Sequence, residues 1–318
     1  MVGKPKLAHH FYFTLSSTSP RPSDLRSKVR DCQPIREVAS PRDVLGVRTL
    51  QYRQKCLKMF KNLFKKTDPK RRRIGTAAVV GLIGGLTYQG INVVFLALLL
   101  NGFGLIGGWG FAELGLLVGI RLAAHSFYVM PFGGLLETTQ LVREGDFDLL
   151  LLRPVDRFIQ IITRRFNVLT VGDGLLGLAA LVGFGILAPV EWTWWRLGYV
   201  VAAVVGGGLV ETAVQMVIGS LAFRGGGARI MQIQADRIVT TFGIYPLTIF
   251  GPEGLLFLCF VFPLGFVAYL PTAALLDRAA EVPLPAWLVW ASPLMGWVLF
   301  PLSLVLFHRM SRHYQSPG

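Results

Sequence analysis

Along most of this chain apolar residues come in long runs rather than in alternation. Crossing a bilayer's hydrocarbon takes about 20 mostly apolar residues at about 1.5 Å of helical rise each. Six stretches meet that need, roughly 74–100, 111–132, 166–188, 198–222, 254–275 and 285–307. The first and fourth are uninterrupted. Glu113, Arg121 and His125 interrupt the second, while Pro263 and Pro271 in the fifth and Pro293 and Pro301 in the sixth predict kinks. A further stretch, 238–251, is too short to cross and reads as a re-entrant or interfacial piece. The pattern predicts an all-α integral membrane protein with six transmembrane helices over 74–318.

Upstream the pattern changes. Residues 1–45 are rich in Ser, Arg and Pro without periodicity, and read as a disordered extension. They lack the apolar core of a secretory signal. An organelle transit peptide and extra sequence from an early start codon both fit them. Within 46–73, Val47, Leu50, Leu57, Phe60 and Phe64 recur at helical spacing among basic residues, and Lys70-Arg71-Arg72-Arg73 follows. This predicts a basic amphipathic interfacial helix before the first span, with Lys58, Lys61, Lys65, Arg71, Arg72 and Arg73 toward anionic headgroups. The competing reading is an ordinary surface helix.

Composition supports the membrane reading. Of 318 residues, 53% are hydrophobic and only 16% charged, with a mean hydropathy of +0.52. A soluble domain is about a quarter charged, and a disordered chain has low hydrophobicity, so both classes are excluded. The net charge of +14 belongs to residues 1–73, which hold 19 Lys/Arg against 5 Asp/Glu; the remainder holds 13 Arg against 13 acids. No aromatic stacking platform or groove-reading motif accompanies this charge, so anionic lipid rather than nucleic acid is its expected partner. Cys32, Cys56 and Cys259 have no metal-ligand or disulfide spacing.

Basic residues also set an orientation. The 133–165 segment holds Arg143, Arg153, Arg157, Arg164 and Arg165; 223–253 holds Arg224, Arg229 and Arg237; the tail holds Arg309 and Arg312. The opposite loops hold only Arg196 and Arg278. Six spans then place both termini in the cytoplasm. Trp109, Trp192, Trp194, Trp195 and Trp287 fall at the other boundary, as an aromatic belt.

Within the spans stand Arg121, Asp173 and Glu211, each costing about 2.5–3.5 kcal/mol near the bilayer centre. They are expected to face inward and pair, Arg121 with Glu211 first. His125 lies one turn from Arg121 on the same face. They form either a polar lining for a transport path or an interhelical structural pair. Gly206-Gly207-Gly208 in the fourth span suits close helix packing. No P-loop, HExxH or G-x-S-x-G sequence occurs, so neither nucleotide binding by a P-loop nor hydrolase chemistry is indicated. No internal repeat is visible.

The 133–165 segment is the most patterned loop, with five Arg and five acids among apolar residues. Leu135 to Val142 suits a short helix, Gly145 its left-handed end, and Arg153-Pro154 a stop to the Leu149–Leu152 run. Such a compact element suits docking of a soluble partner. Its core, Arg143-Glu144-Gly145-x-Phe147-Asp148-x-x-Leu151-Leu152-Arg153-Pro154, resembles the signature loop of ABC-2 type exporter permeases. Gly107-Gly108-Trp109, Tyr245-Pro246, Phe262-Pro263, Tyr269-Leu270-Pro271 and the Tyr314–Gly318 ending resemble the same family. The resemblance covers about 46–318.

It implies the membrane permease subunit of an ATP-dependent exporter. A second permease, identical or related, would complete the pathway. A separately encoded ATP-binding subunit would carry ATP and Mg, with no cofactor on this chain and no catalysis by it. Arg143, Glu144, Gly145, Phe147, Asp148, Leu152, Arg153 and Pro154 would form the ATPase-coupling loop. The plasma (inner) membrane is the expected location, with a plastid envelope as the alternative. An ion-coupled secondary transporter and a non-transporting scaffold remain competing functions.

Overall fold

The computed structural model describes residues 104–164, 171–225 and 228–315, with scattered positions between 79 and 102. The 1–45 extension, the basic helix carrying Lys58 to Arg73 and much of the 74–100 span lie outside the described residues.

The described residues are almost entirely helical. They form α1 (Phe111–Phe132), α2 (Thr138–Arg143), α3 (Phe147–Leu151), α4 (Arg157–Arg164), α5 (Val171–Leu187), α6 (Trp194–Ser220), α7 (Ala228–Phe242), α8 (Gly251–Leu256), α9 (Tyr269–Leu275), α10 (Ala286–Trp290) and α11 (Leu294–Ser311). Three helices here are long and apolar enough to cross a membrane: Phe111–Arg143, Trp194–Phe223 and Leu294–Ser311. A fourth is reached if Ala228–Phe242 and Leu247–Val261, bent by 109° at their junction, count as one.

Small residues set how these helices meet, because apolar lipid offers no hydrophobic drive and close van der Waals contact must supply the attraction. α1 and α5 run antiparallel, with Gly115 under Phe184, Gly119 against the Leu181 backbone and Gly177 against Leu122 and Ala123. α6 runs parallel to α1, its Gly208 against Ala124 and Phe127. α11 crosses α6 where Gly206 meets Pro293 and Gly296. A Cβ on Gly206 would land on the Pro293 carbonyl oxygen, and one on Gly296 on the Gly206 oxygen. The glycine run of the fourth span thus serves close packing.

The sequence reading of one fifth span over 254–275 needs correction. After α8 the chain makes a π turn over Phe257–Val261, breaks at Phe262-Pro263 and reverses into α9. The reason lies in the prolines: Pro263 has no N–H to donate, and Phe262 before it is held extended at φ −124° and ψ 91°. Both arms return to the tryptophan end of the bundle. Before the first arm, Pro246 and Ile249 cover Gly107. The second arm brings Tyr269 to 5.6 Å from Trp109 and leads to Arg278, which donates to the Gly108 carbonyl at 2.9 Å. The tip reaches mid-bundle, where Val267 lies against Gly207. α7 runs antiparallel along the loop-side half of α6, from Gln232 beside Gly219 to Gly243 beside Arg121.

The tryptophan end is clasped by its two arginines. Buried Arg196 donates to both carboxylate oxygens of Asp277 at 3.0 and 2.8 Å. Arg278 bonds Glu281 and Glu113, and Glu113 caps α1 by accepting from the Gly110 amide at 2.7 Å. Trp194 and Trp287 stand exposed as a belt residue should, but Trp109 is buried. It packs on Tyr269 under the Arg278 guanidinium, so it belongs to the core rather than the belt.

Candidate functional site

Two places gather the polar residues. The first is the loop between α1 and α5. Gly133–Glu137 makes a 3-10 turn, α2 follows, and Gly145 at φ +74° ends it in the left-handed region that glycine adopts without strain. The turn aims α3 so that Phe147 and Leu150 point inward. Phe147 is fully buried, 4.9 Å from Phe223 at the end of α6 and 4.8 Å from Tyr314 beyond α11. Phe223 in turn meets Phe307, and Phe158 of α4 meets both Phe307 and Phe300. The loop is therefore seated on an aromatic core of its own.

Anchored from below, the loop shows its other face outward. Arg143, Glu144, Leu149, Leu151, Leu152, Arg153, Pro154 and Val155 are exposed, Leu152 at 81%. Gly145 and Asp148 are partly covered. Of the residues expected in the coupling loop, Phe147 is thus buried as an anchor, and Arg143, Glu144, Leu152, Arg153 and Pro154 are exposed. Gln140 donates to Glu144 at 2.8 Å across one helical turn. Gln160 donates to the Leu150 and Val155 carbonyls at 3.0 and 2.7 Å, which fixes the chain around Arg153-Pro154.

Asp156 ties this loop to α11. Its Oδ1 accepts from the amides of Phe158 and Ile159, capping α4, and its Oδ2 lies 2.7 Å from His308 Nε2. Partial burial opposes its ionisation, but the bonds from His308 and the two amides outweigh that and hold the carboxyl below the usual carboxylate range. A carboxyl with a lowered folded pKa stabilises above its unfolded value of about 3.9 and loses that contribution as pH falls through the folded value. The gap in melting temperature between wild type and Asp156→Asn is therefore full at neutral pH. It closes as the pH is taken below about 3.9; a gap unchanged there would show that the charge of Asp156 is not what tethers the loop.

The second place is inside the bundle. His125 Nδ1 of α1 lies 2.7 Å from Glu211 Oε2 of α6, with Glu211 only 3% exposed. Arg121, one turn before His125, is 1% exposed and within electrostatic range of His125, Asp173 and Asp236. Arg121, His125, Asp173 and Glu211, all singled out in the sequence, thus do converge, and His125 supplies the hydrogen bond to Glu211. Asp236 of α7 joins them and was not anticipated. Below the cluster two amides clasp α6 to α7: Gln232 Nε2 donates to the Gln215 carbonyl and Gln215 Nε2 to that of Gln232, both at 3.3 Å. Among the described residues no group of His, Cys, Asp and Glu could hold a metal ion.

A family model described as ABC-2 family transporter protein matches residues 86–318 of this chain. The chain belongs to that family. The match runs over α1 to α11, including the exposed loop, the buried cluster and the hairpin. No curated protein and no solved structure matches the chain. Proteins of this family are membrane components of ABC transporters that work with ATP-binding subunits, and the absence of a P-loop accords with that division. In this ABC-2 membrane protein Arg121 and Glu211 are buried inside the bundle and α6 and α11 carry exposed apolar residues, while α7 exposes Arg229 and Arg237 beside Ile230, Met231 and Ile233.

Proposed function

We propose that the chain is the permease subunit of an ATP-dependent exporter, moving substrate out of the cytoplasm with a separately encoded ATP-binding subunit. The observation that carries this reading is the α2–α3 loop, exposed on one face and rooted by Phe147 in the ends of α6 and α11 on the other. A partner seated on Arg143, Glu144, Leu152, Arg153 and Pro154 would push on those helices. ATP binding to the partner would then favour one of two permease conformations, which is transport by differential binding. The pathway needs a second permease, identical or related.

In this reading the bundle crosses six times, by 74–100, α1, α5, α6, α7 continued to Ile249, and α11, with 228–249 replacing 254–275 as the fifth crossing. The loop and both termini lie in the cytoplasm, and anionic headgroups cover the basic residues around Lys58 to Arg73. The inner membrane is the location. The buried Arg121–His125–Glu211–Asp236 group favours one other reading, an ion-coupled secondary transporter, since intramembrane ionisable groups commonly mark ion paths.

Affinity capture of the tagged, detergent-solubilised permease separates the two. An ATP-binding subunit in stoichiometric amount is expected, lost with Glu144→Lys, which inverts an exposed charge, and with Gly145→Pro, since proline holds φ near −65° where the loop needs +74°. Both variants should remain inserted and inactive in transport. A preparation free of ATPase, or ATPase binding and transport that survive both changes, would overturn the coupling assignment and leave uptake driven by an ion gradient as the next assay.

A further inference from the structure

We propose that a phospholipid from the leaflet on the loop side occupies the groove between α6, the hairpin tip and α11, with one acyl chain along the groove and its phosphate at Arg309. The groove holds about 560 Å³, within the ~300–1,000 Å³ of small-molecule sites. Its walls are apolar: Val214 and Val217 of α6, Phe260 and Pro263 of the hairpin tip, and Leu302 and Leu306 of α11. Ser303 also lines it, but its hydroxyl donates to the Phe300 carbonyl. Among the described lining residues the one charged side chain is Arg309, at the loop end.

Length and charge select the occupant. From Met295 to Arg309 the groove follows α11 for about 21 Å at ~1.5 Å per residue. One leaflet's hydrocarbon is about 15 Å deep, half of a ~30 Å core. A chain entering beside Arg309 therefore finds apolar wall past mid-membrane, where the hairpin tip closes the groove above it. Arg309 is exposed and makes no side-chain ion pair among the described residues, while the loop's Asp156 is engaged by His308. A guanidinium at the headgroup level of an acyl-chain groove suits a phosphate, which it can bind through two N–H groups. The hairpin accounts for the groove: because its two arms return to the tryptophan end, they leave the loop-side half of the space between α6 and α11 unfilled.

The test uses the full chain in nanodiscs of phosphatidylcholine containing phosphatidylglycerol with a photoactivatable diazirine in mid-chain. Cross-linked residues are mapped by mass spectrometry. Labels should concentrate on Val214, Val217, Leu302 and Leu306. They should fall about fivefold in Arg309→Gln, the factor expected for one basic residue at an anionic surface, and recover in Arg309→Lys. Val217→Trp, which fills the groove, should remove them. Labels equally dense at Val201 and Val298, outside the groove, or unchanged in Arg309→Gln, would reduce it to ordinary lipid-facing surface. Absence of label together with a Leu302→Cys disulfide between copies would assign the groove to a second protein chain instead.

Discussion

Glu211→Ala lowers the stability of the detergent-solubilised permease by about 3–5 kcal/mol, the cost of removing one partner from a buried charged group. The reason is what stays behind. Arg121, one turn from His125, cannot lose its proton and is 1% exposed, so removing Glu211 takes one acid out of the buried group around it. His125 loses its hydrogen bond as well. Glu211→Gln keeps the shape and an acceptor oxygen, so it should cost less. His125→Ala combined with Glu211→Ala should cost less than the sum of the two, with a coupling of about 0.5–3 kcal/mol. Thermal unfolding followed by the fraction remaining monodisperse reads all four. An unchanged melting profile in Glu211→Ala would mean that the α1–α6 pair contributes nothing to holding the bundle together.

Gly206→Val prevents assembly of the bundle. Here α6 and α11 meet backbone to backbone, and the contact is reciprocal: the Gly206 position faces the Pro293 carbonyl while Gly296 faces the Gly206 carbonyl. Overpacking a core usually costs about 1–3 kcal/mol, because side chains can shift aside. Neither carbonyl can move without displacing its whole helix, so the loss is larger, and little folded protein should be recovered. Gly198→Val, on the same helix, provides the control, since a Cβ there meets nothing within 4 Å. It carries the same change in helix propensity and should express like wild type. Equal yields of the two variants would show that the α6–α11 crossing tolerates separation.

How much of this was legible in the sequence depended on which rule each residue obeyed. Gly145 could be read because left-handed backbone selects glycine, and the loop turns where its position says. The glycine run at 206–208 was readable for a similar reason, since only close approach explains it. The convergence of Arg121, His125, Asp173 and Glu211 followed from the cost of leaving charges in lipid. α7 misled. Its Arg229 and Arg237 placed it in a loop, whereas 228–242 is helical, with Ile230, Met231 and Ile233 exposed beside those two arginines and Gln232 buried. Apolar and charged residues are mixed on its exposed face, and a short segment so patterned resembles a loop. The fold-back at 262–263 was foreshadowed by Pro263, but a proline alone does not distinguish a kink from a reversal. Burial of Trp109 had no local signal, because its partners, Tyr269 and Arg278, lie more than 150 residues away.

The aromatic seat of the loop also determines how a displacement spreads. Phe147, Phe158, Phe223, Phe307 and Tyr314 form a continuous chain of ring contacts between 4.8 and 6.3 Å. Close-packed rings of this kind have almost no slack, so a load on α3 is not absorbed locally. α6 and α11 share it as one stiff body, coupled further by their glycine crossing. α7 is joined to the same base differently, through Gln232 donating to the Leu135 carbonyl at 3.4 Å and through the amide clasp. Thr139 of α2 adds a shorter bond, its hydroxyl donating to Gln232 Oε1 at 2.5 Å. At the foot of the bundle α6 and α11 are thus held by packed rings, and α7 by hydrogen bonds gathered on one residue, Gln232.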